Sequence, residues 1–234
     1  ARQAGDRVAE ARSLGNVGVM HGEQGRPDLA VEALTRALDL FRQLGDERGA
    51  ARTHDALGAV YSRLGEHRRA VEAHEWALTL FRQLSDRSGE ASSLLHLGRA
   101  RQRQGDARQA ADHHRRALAL FQEMGESPGE AKAYNSLGTA LRAAGDPTGA
   151  REAHTAALAV ALTIGSGHEQ ARAYDGIAAT ELAAGNTDEA ARQWYRALAL
   201  YTELALPEAD AVRAHLSGLG ARTDQVPSSG PPLG

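Results

Sequence analysis

Apolar and polar positions along this chain follow the three-and-four spacing of amphipathic helices. The first such segment, residues 6–24, ends at Gly25, and a second begins at Pro27 and ends at Gly45. Proline suits the first turn of a helix, and glycine suits the left-handed cap that closes one. Since the connection between them is only a few residues long, the two segments predict a pair of antiparallel helices.

The same helix pair returns every forty residues, five times, without insertion or deletion. A fixed period of roughly 20 to 50 residues is typical of a solenoid, whose units bury their apolar faces only by stacking on their neighbours. The pattern therefore predicts an all-α solenoid of five helix-turn-helix repeats, with function carried by a surface. The period is seen in the loop glycines Gly25, Gly65, Gly105, Gly145 and Gly185, and in the alanines Ala30, Ala70, Ala110, Ala150 and Ala190.

The predicted boundaries follow this period. The repeats are residues 6–45, 46–85, 86–125, 126–165 and 166–205. We interpret residues 1–5 as the cut end of a longer protein and residues 206–220 as a capping helix. Four residues of this helix would cover the open end of the stack: Ala211, Val212, His215 and Leu216. Residues 221–234 are rich in proline, serine and glycine, which predicts a flexible tail.

Further columns, by which we mean equivalent positions in successive repeats, mark the helix starts and the large core residues. Side chains suited to helix N-termini precede the helices as Asp46, Asp86, Glu126 and Ser166, and as Glu66, Asp106, Asp146 and Asn186. A large aromatic residue stands near the end of four of the second helices, as Phe41, Phe81, Phe121 and Tyr201. The fourth repeat has Ala161 in this column, and we expect looser packing there for that reason.

The small columns resemble those of the tetratricopeptide repeat. Leu57, Gly58 and Tyr61, followed by Ala70 and Ala77, are similar to its pattern Leu-Gly-x-x-Tyr and then Ala-x-x-x-Phe. The resemblance covers residues 6–205 and implies a right-handed superhelix whose concave surface is lined chiefly by first helices. Small residues are expected where the helices of one repeat cross, as Gly18, Gly58, Gly98, Gly138 and Ala178. The facing column on the second helices reads Leu34, His74, His114, His154 and Trp194.

A closer resemblance concerns the forty-residue length. The motif Phe-Arg-Gln-Leu-Gly-Asp at residues 41–46 and the segment 201–213 are similar to sequences in the repeat arrays at the C-terminal end of large actinobacterial regulators. These regulators include the Streptomyces antibiotic regulatory protein family and related nucleotide-binding signalling ATPases. The resemblance implies a sensor or partner-binding module in signalling and transcription regulation. It also leaves open an intramolecular role, in which the array holds an attached ATPase or DNA-binding region inactive until an effector releases it.

Composition narrows the function classes. The chain has no cysteine, which excludes disulfides, zinc-thiolate sites and a cysteine nucleophile. No segment approaches the length of an apolar membrane span, and the first residues do not form a signal peptide, so we expect a soluble cytoplasmic protein without a membrane partner. The net charge of −3 and the scarcity of aromatic residues disfavour single-stranded nucleic-acid binding, the remaining alternative.

Enzymatic, cofactor and metal sites are not predicted. No glycine-rich phosphate loop is followed by Lys-Ser/Thr, and no known motif links a nucleophile to a base. Of the ten histidines, the adjacent pair His113 and His114 points in different directions on a helix. Histidines forty residues apart lie one repeat away, too far to share an ion, so we expect the histidine column to fill the helix interfaces. His96 differs, because it lies on the first-helix face and is a candidate for binding.

The concave surface is the candidate partner site. One column on the first helices reads Arg12, Arg52, Ser92, Lys132 and Arg172, and four of its five residues are basic. A groove of this kind would recognise the carboxylates of a protein or an acidic peptide. A solvated surface in an arginine-rich chain is an equally weighted interpretation. The residues expected to line the groove are Arg12, Asn16, Arg52, Asp55, Arg63, His96, Arg99, Arg103, Lys132, Asn135, Arg142, Arg172 and Asp175.

Overall fold

The structure, a computed structural model, describes the backbone of residues 2–220 and the side chains of residues 6–220. The predicted tail at residues 221–234 lies outside the described residues. Within residues 2–220 the fold is all-α, with eleven helices and no strand, which confirms the predicted fold class. The helices are α1 Arg2–Glu23, α2 Pro27–Leu44, α3 Glu47–Arg63, α4 His67–Gln83, α5 Arg87–Arg103, α6 Ala107–Met124, α7 Ser127–Ala143, α8 Pro147–Thr163, α9 Gly167–Ala183, α10 Thr187–Glu203 and α11 Glu208–Gly218.

The chain forms two compact units, the first ending at Leu120 and the second beginning at Phe121. In the first unit α1 packs against α2 and α3 packs against α4, while α3 also contacts α1 and α5, so that the first helices of successive pairs are neighbours. In the second unit α7 packs against α8 and α9 packs against α10. There α7 and α9 are neighbours as well, and α11 packs on α10.

Close helix crossings explain the glycine column. A Cβ atom built at Gly58 would lie 2.6 Å from the ring of His74, and one at Gly98 would lie 2.5 Å from the ring of His114. Real Cβ atoms do not approach other atoms so closely, and only glycine lets the two helices pack at this distance. All three histidines of the column are buried, with exposed fractions of 0–1% for His74, His114 and His154. The predicted packing role of this column is therefore confirmed.

The helix N-termini only partly follow the predicted capping. The carboxylates of Asp46 and Asp86 accept hydrogen bonds from the backbone N–H groups of Gly49 and Gly89, at 2.9 and 3.0 Å. Asp146 caps α8 in the same way. The prediction is wrong for three residues whose side chains make no capping hydrogen bond: Glu66, Glu126 and Asn186. Longer side chains reach other partners instead, as when Glu66 accepts a hydrogen bond from Arg69 at 2.5 Å.

Ala161 of the fourth repeat is fully buried, although it stands where the other repeats have a large aromatic residue. In the first repeat the ring of Phe41 lies directly over Gly49, so close that a Cβ atom at this glycine would overlap the ring. The corresponding pair in the fourth repeat is Ala161 and Glu169, and Glu169 is only 3% exposed. The larger residue of the pair therefore lies on α9, the first helix of the following repeat, and the smaller one lies on α8. We attribute the retained burial of Ala161 to this exchange of large and small residues.

The helix α11 buries one side against α10. Ala209, Val212 and Leu216 are buried beside Trp194 and Tyr201. Val212 and Leu216 are buried as predicted, whereas Ala211 and His215 are exposed. The His215 ring nevertheless stacks on Trp194, with ring centroids 4.8 Å apart.

Candidate functional site

Three of the predicted groove residues of the first unit, Arg12, Asn16 and Arg52, line a cavity of about 590 Å³. Arg12 and Asn16 reach it from α1, and Arg52 reaches it from α3, while Leu34 and Phe41 of α2 supply apolar lining. These positions repeat on helices that are neighbours, which is why side chains forty residues apart in sequence converge on one cavity. The cavity is large enough to take several side chains of a bound segment.

Two arginines give this cavity its charge. The carboxylate of Asp46 is engaged in capping α3, and Arg48 lies 3.4 Å from the carboxylate of Asp86. Arg12 and Arg52 are exposed, and within the described part of the chain neither forms an ion pair or hydrogen bond. Their guanidinium groups therefore remain able to bind carboxylates from outside.

A second cavity of about 450 Å³ lies one repeat further along the same unit. Arg52 and Asp55 line it from α3, and Ser88 and Ser92 line it from α5, with Phe81 in the position that Phe41 has in the first cavity. Arg52 belongs to both cavities. The first unit therefore has two neighbouring depressions joined by a basic side chain.

The remaining basic candidates of the first unit do not line either cavity. Arg63 is exposed, and its guanidinium lies over Gly22, where a Cβ atom would be 2.5 Å from its Nη2. Arg103 is exposed and donates a hydrogen bond to the carbonyl oxygen of Ser62 at 2.9 Å. Arg99 is half-buried. Arg63 and Arg103 therefore lie against the neighbouring first helices α1 and α3.

In the second unit two predicted groove residues are used inside the protein. Asn135 is 1% exposed, and its side-chain N–H groups donate to the backbone oxygen and the carboxylate of Glu169, at 3.0 and 2.9 Å. Asn135 is therefore engaged inside the second unit, although the sequence predicted that it would line the groove. Arg172 is half-buried and forms an ion pair with the same carboxylate, Nη1 to Oε2 being 2.9 Å. The buried Glu169 requires these partners, because an unpaired buried charge is costly. Lys132 and Arg142 are exposed.

A recurring polar contact crosses each of three helix pairs. His74 donates from Nδ1 to the carboxylate of Asp55 at 2.7 Å, and the Nδ1 of His154 lies 3.2 Å from the amide oxygen of Asn135. Trp194 donates to Asp175 at 2.8 Å. Each pair is separated by 19 residues and gives a buried ring nitrogen its partner. Asp55 and Asp175, which were predicted to bind a partner, therefore each have one oxygen engaged in the core.

Asp55 has a second histidine partner. The Nδ1 atom of His96, on α5, lies 3.0 Å from Oδ2 and 3.2 Å from Oδ1 of Asp55. Burial acts to raise the pKa of Asp55, but the hydrogen bonds from His74 and His96 and the charges of their rings outweigh it and lower the pKa below its ordinary value. Asp55 is thus an ionised carboxylate between two imidazoles. His96 and Asp55 were predicted from the sequence to be binding residues, whereas their contact with His74 was not predicted.

An exposed tryptophan was also missed. Trp76 on α4 is 58% exposed, and its ring stacks on His54 with ring centroids 6.1 Å apart. Both residues line a third cavity, of about 270 Å³. The signal is present in the sequence, since Trp76 stands on the polar side of a second helix.

The pairs of helices, their fixed period and the surface of first helices define a helical repeat protein, the class that presents an extended surface for protein interaction. The tetratricopeptide repeat family model matches residues 9–83, 89–163 and 129–203. The chain therefore belongs to the tetratricopeptide repeat family. No curated protein sequence matched the chain.

Solved structures support the same fold. A Podosopora anserina kinesin light chain structure, whose own TPR-like repeats are nearly identical to one another, is 20% identical to this chain. The match covers 84% of this chain and 97% of that one, with a TM-score of 0.70. MamA is 24% identical, with 81% and 96% coverage and a TM-score of 0.59. Aspartyl phosphate phosphatase F from Bacillus subtilis is 13% identical, with a TM-score of 0.67; the match covers 97% of this chain and 64% of the phosphatase. Among the described residues no helix is long and apolar enough to cross a membrane.

Proposed function

We propose that this chain is a non-catalytic protein- or peptide-binding module of a larger bacterial regulatory protein, and that it takes a partner segment into the groove of its first unit. The observation that carries the proposal is the pair Arg12 and Arg52. Both line the cavity of about 590 Å³, and neither has an ion-pair partner among the described residues. The resemblance of the forty-residue repeats to those of actinobacterial regulators supports the regulatory context.

The chemistry of the cavity favours an acidic segment. Each guanidinium can donate two parallel hydrogen bonds to a carboxylate, which gives direction as well as attraction. An exposed pair of this kind contributes only about 0.2–1 kcal/mol. Val19 is an exposed apolar residue of the same cavity and is therefore expected to supply part of the affinity, with the arginines selecting acidic segments and raising the association rate.

The test begins with peptides selected from a random displayed library against the parent chain. We expect the selected peptides to be enriched in aspartate and glutamate beside an apolar anchor. Changing Arg12→Glu and Arg52→Glu together should abolish their binding, because the cavity then repels carboxylates. Circular dichroism should show unchanged helicity, since both side chains are exposed.

A matched control carries the same charge change elsewhere. Arg36 and Arg108 are exposed arginines on second helices, and neither lines a described groove cavity. Arg36→Glu with Arg108→Glu should leave peptide binding unchanged. Binding that survives the groove reversal, or is lost equally in both double variants, contradicts the groove proposal. Failure to select any peptide, combined with salt-dependent binding of a single-stranded oligonucleotide, would favour nucleic-acid binding instead.

A further inference from the structure

Three side chains from three helices of the first unit converge on one point. Asp55 lies on α3, His74 on α4 and His96 on α5. Each residue offers one ligand atom, and these atoms all lie within 4.8 Å of one another. The Nδ1 atoms of both imidazoles face the same carboxylate, at 2.7 Å for His74 and 3.0 Å for His96.

We propose that Asp55, His74 and His96 form a binding site for one divalent transition-metal ion, and that Zn²⁺ is the ion it suits best. Two imidazole nitrogens and a carboxylate oxygen are a common set of three protein ligands for zinc, which leaves a fourth position for water or an incoming ligand. The site goes beyond the proposed peptide groove and does not depend on it.

Two of the three distances between the ligand atoms are close to the spacing around a tetrahedral ion. Zinc–ligand bonds of about 2.0–2.2 Å place neighbouring donor atoms roughly 3.3 Å apart. The two nitrogen–oxygen distances, 2.7 and 3.0 Å, are slightly shorter, because each nitrogen and oxygen are now joined by a hydrogen bond. Small side-chain rotations would open them to the metal spacing. Each neutral ring must then carry its proton on Nε2, which leaves Nδ1 as the ligand atom.

The surroundings hold two of the ligands and leave one side open. The ring of His74 is 1% exposed and is fixed over Gly58 at the crossing of α3 and α4. Asp55 is held by that same ring. The His96 side chain is 36% exposed, and the carboxylate of Asp55 borders the cavity of about 450 Å³. An ion could therefore enter from solvent and keep a water ligand on this side.

The repeats of this chain provide an internal comparison. The residues forty positions before Asp55, His74 and His96 are Gly15, Leu34 and Ala56, and those eighty positions after them are Asn135, His154 and Gly176. The fold therefore needs neither the carboxylate nor the second histidine at these positions. Of the five equivalent sets in the sequence, only Asp55, His74 and His96 provide three side chains able to bind zinc.

The same comparison supplies variants that should fold. Asp55→Asn reproduces Asn135, which keeps an oxygen for the buried histidine, and His96→Ala reproduces Ala56. His168→Ala is the matched control, because His168 is exposed and lies outside the cluster. Circular dichroism and gel filtration should show that all three variants retain the parent's helicity and size.

The chain, free of any histidine tag and treated with chelator, is titrated with ZnCl₂ by calorimetry, and bound zinc is counted by elemental analysis after gel filtration. We expect one ion per chain for the parent and for His168→Ala, and affinity at least tenfold weaker for Asp55→Asn and His96→Ala. Zinc should also raise the Tm of the parent but not of His96→Ala. A parent that binds no zinc, or cluster variants that bind it as tightly as the parent, would overturn the proposal.

Discussion

Trp194 donates its indole N–H to the carboxylate of Asp175, 2.8 Å away, across the crossing of α9 and α10. The tryptophan is only 1% exposed, so its N–H would otherwise lie in the core without a partner. The same 19-residue offset joins His154 to Asn135. A polar residue on the first helix thus accompanies a buried nitrogen on the second.

Removal of the acceptor at Asp175 should destabilise the second unit. Asp175→Ala leaves the buried N–H of Trp194 unsatisfied, which costs about 1–3 kcal/mol. Asp175→Asn, the residue that Asn135 provides in the preceding repeat, keeps an oxygen acceptor and should cost less. Urea unfolding followed by tryptophan fluorescence measures both. Equal stability of the alanine variant and the parent would show that the hydrogen bond contributes nothing.

Larger side chains at the helix crossings should destabilise the protein. In Gly98→Ala the new Cβ atom would lie 2.5 Å from the ring of His114, and we expect a loss of about 1–3 kcal/mol from overpacking. Ala70→Leu should act in the same direction, because Ala70 is fully buried.

Gly15→Ala is the control for this prediction, since Gly15 lies within α1 and no atom comes within 4 Å of its added Cβ. Alanine favours the helix there by about 0.5–1 kcal/mol. Thermal unfolding should therefore move the two glycine variants in opposite directions. A Gly98→Ala variant as stable as Gly15→Ala would contradict the close crossing.

Acidic pH should lower the free energy of unfolding through protonation of His154. Burial, followed by the charges of Arg172 and Arg142, lowers the pKa of this ring to about 4 from an ordinary value of 6.5. Below pH 6.5 the unfolded chain binds a proton that the folded chain does not bind until near pH 4. The neutral His154 ring therefore contributes roughly 3 kcal/mol to the free energy of unfolding above pH 6.5, and this contribution is lost as the pH falls towards 4.

Replacing the ring removes this dependence. His154→Leu reproduces Leu34 of the first repeat and does not titrate. Between pH 7 and 4.5 its free energy of unfolding should fall less than that of the parent, by roughly 2–3 kcal/mol. His54, whose pKa is lowered to about 4 by burial and by Arg42, is present in both proteins and cancels. Parallel pH profiles would contradict the assignment.

The forty-residue period by itself determined the helices, their turns and the columns that meet at the crossings. Such features depend on local spacing, and close approach requires a small residue wherever it occurs, as at Gly58 and Gly98. The arginines at the first cavity were found for the same reason, because equivalent positions in successive repeats lie on neighbouring helices.

Only the tertiary structure decided which polar side chains remain available for binding. Arg52 and Arg172 occupy the same column, yet Arg52 lines two cavities while Arg172 pairs with a buried glutamate that has no counterpart in the first four repeats. Likewise, Asp55, His74 and His96 lie on three helices. Whether they meet depends on the orientation of each helix about its own axis and on the distances between the helices. Periodicity gives the face of a helix on which a residue lies, whereas hydrogen-bond partners are set by distances of a few tenths of an ångström between side chains on different helices.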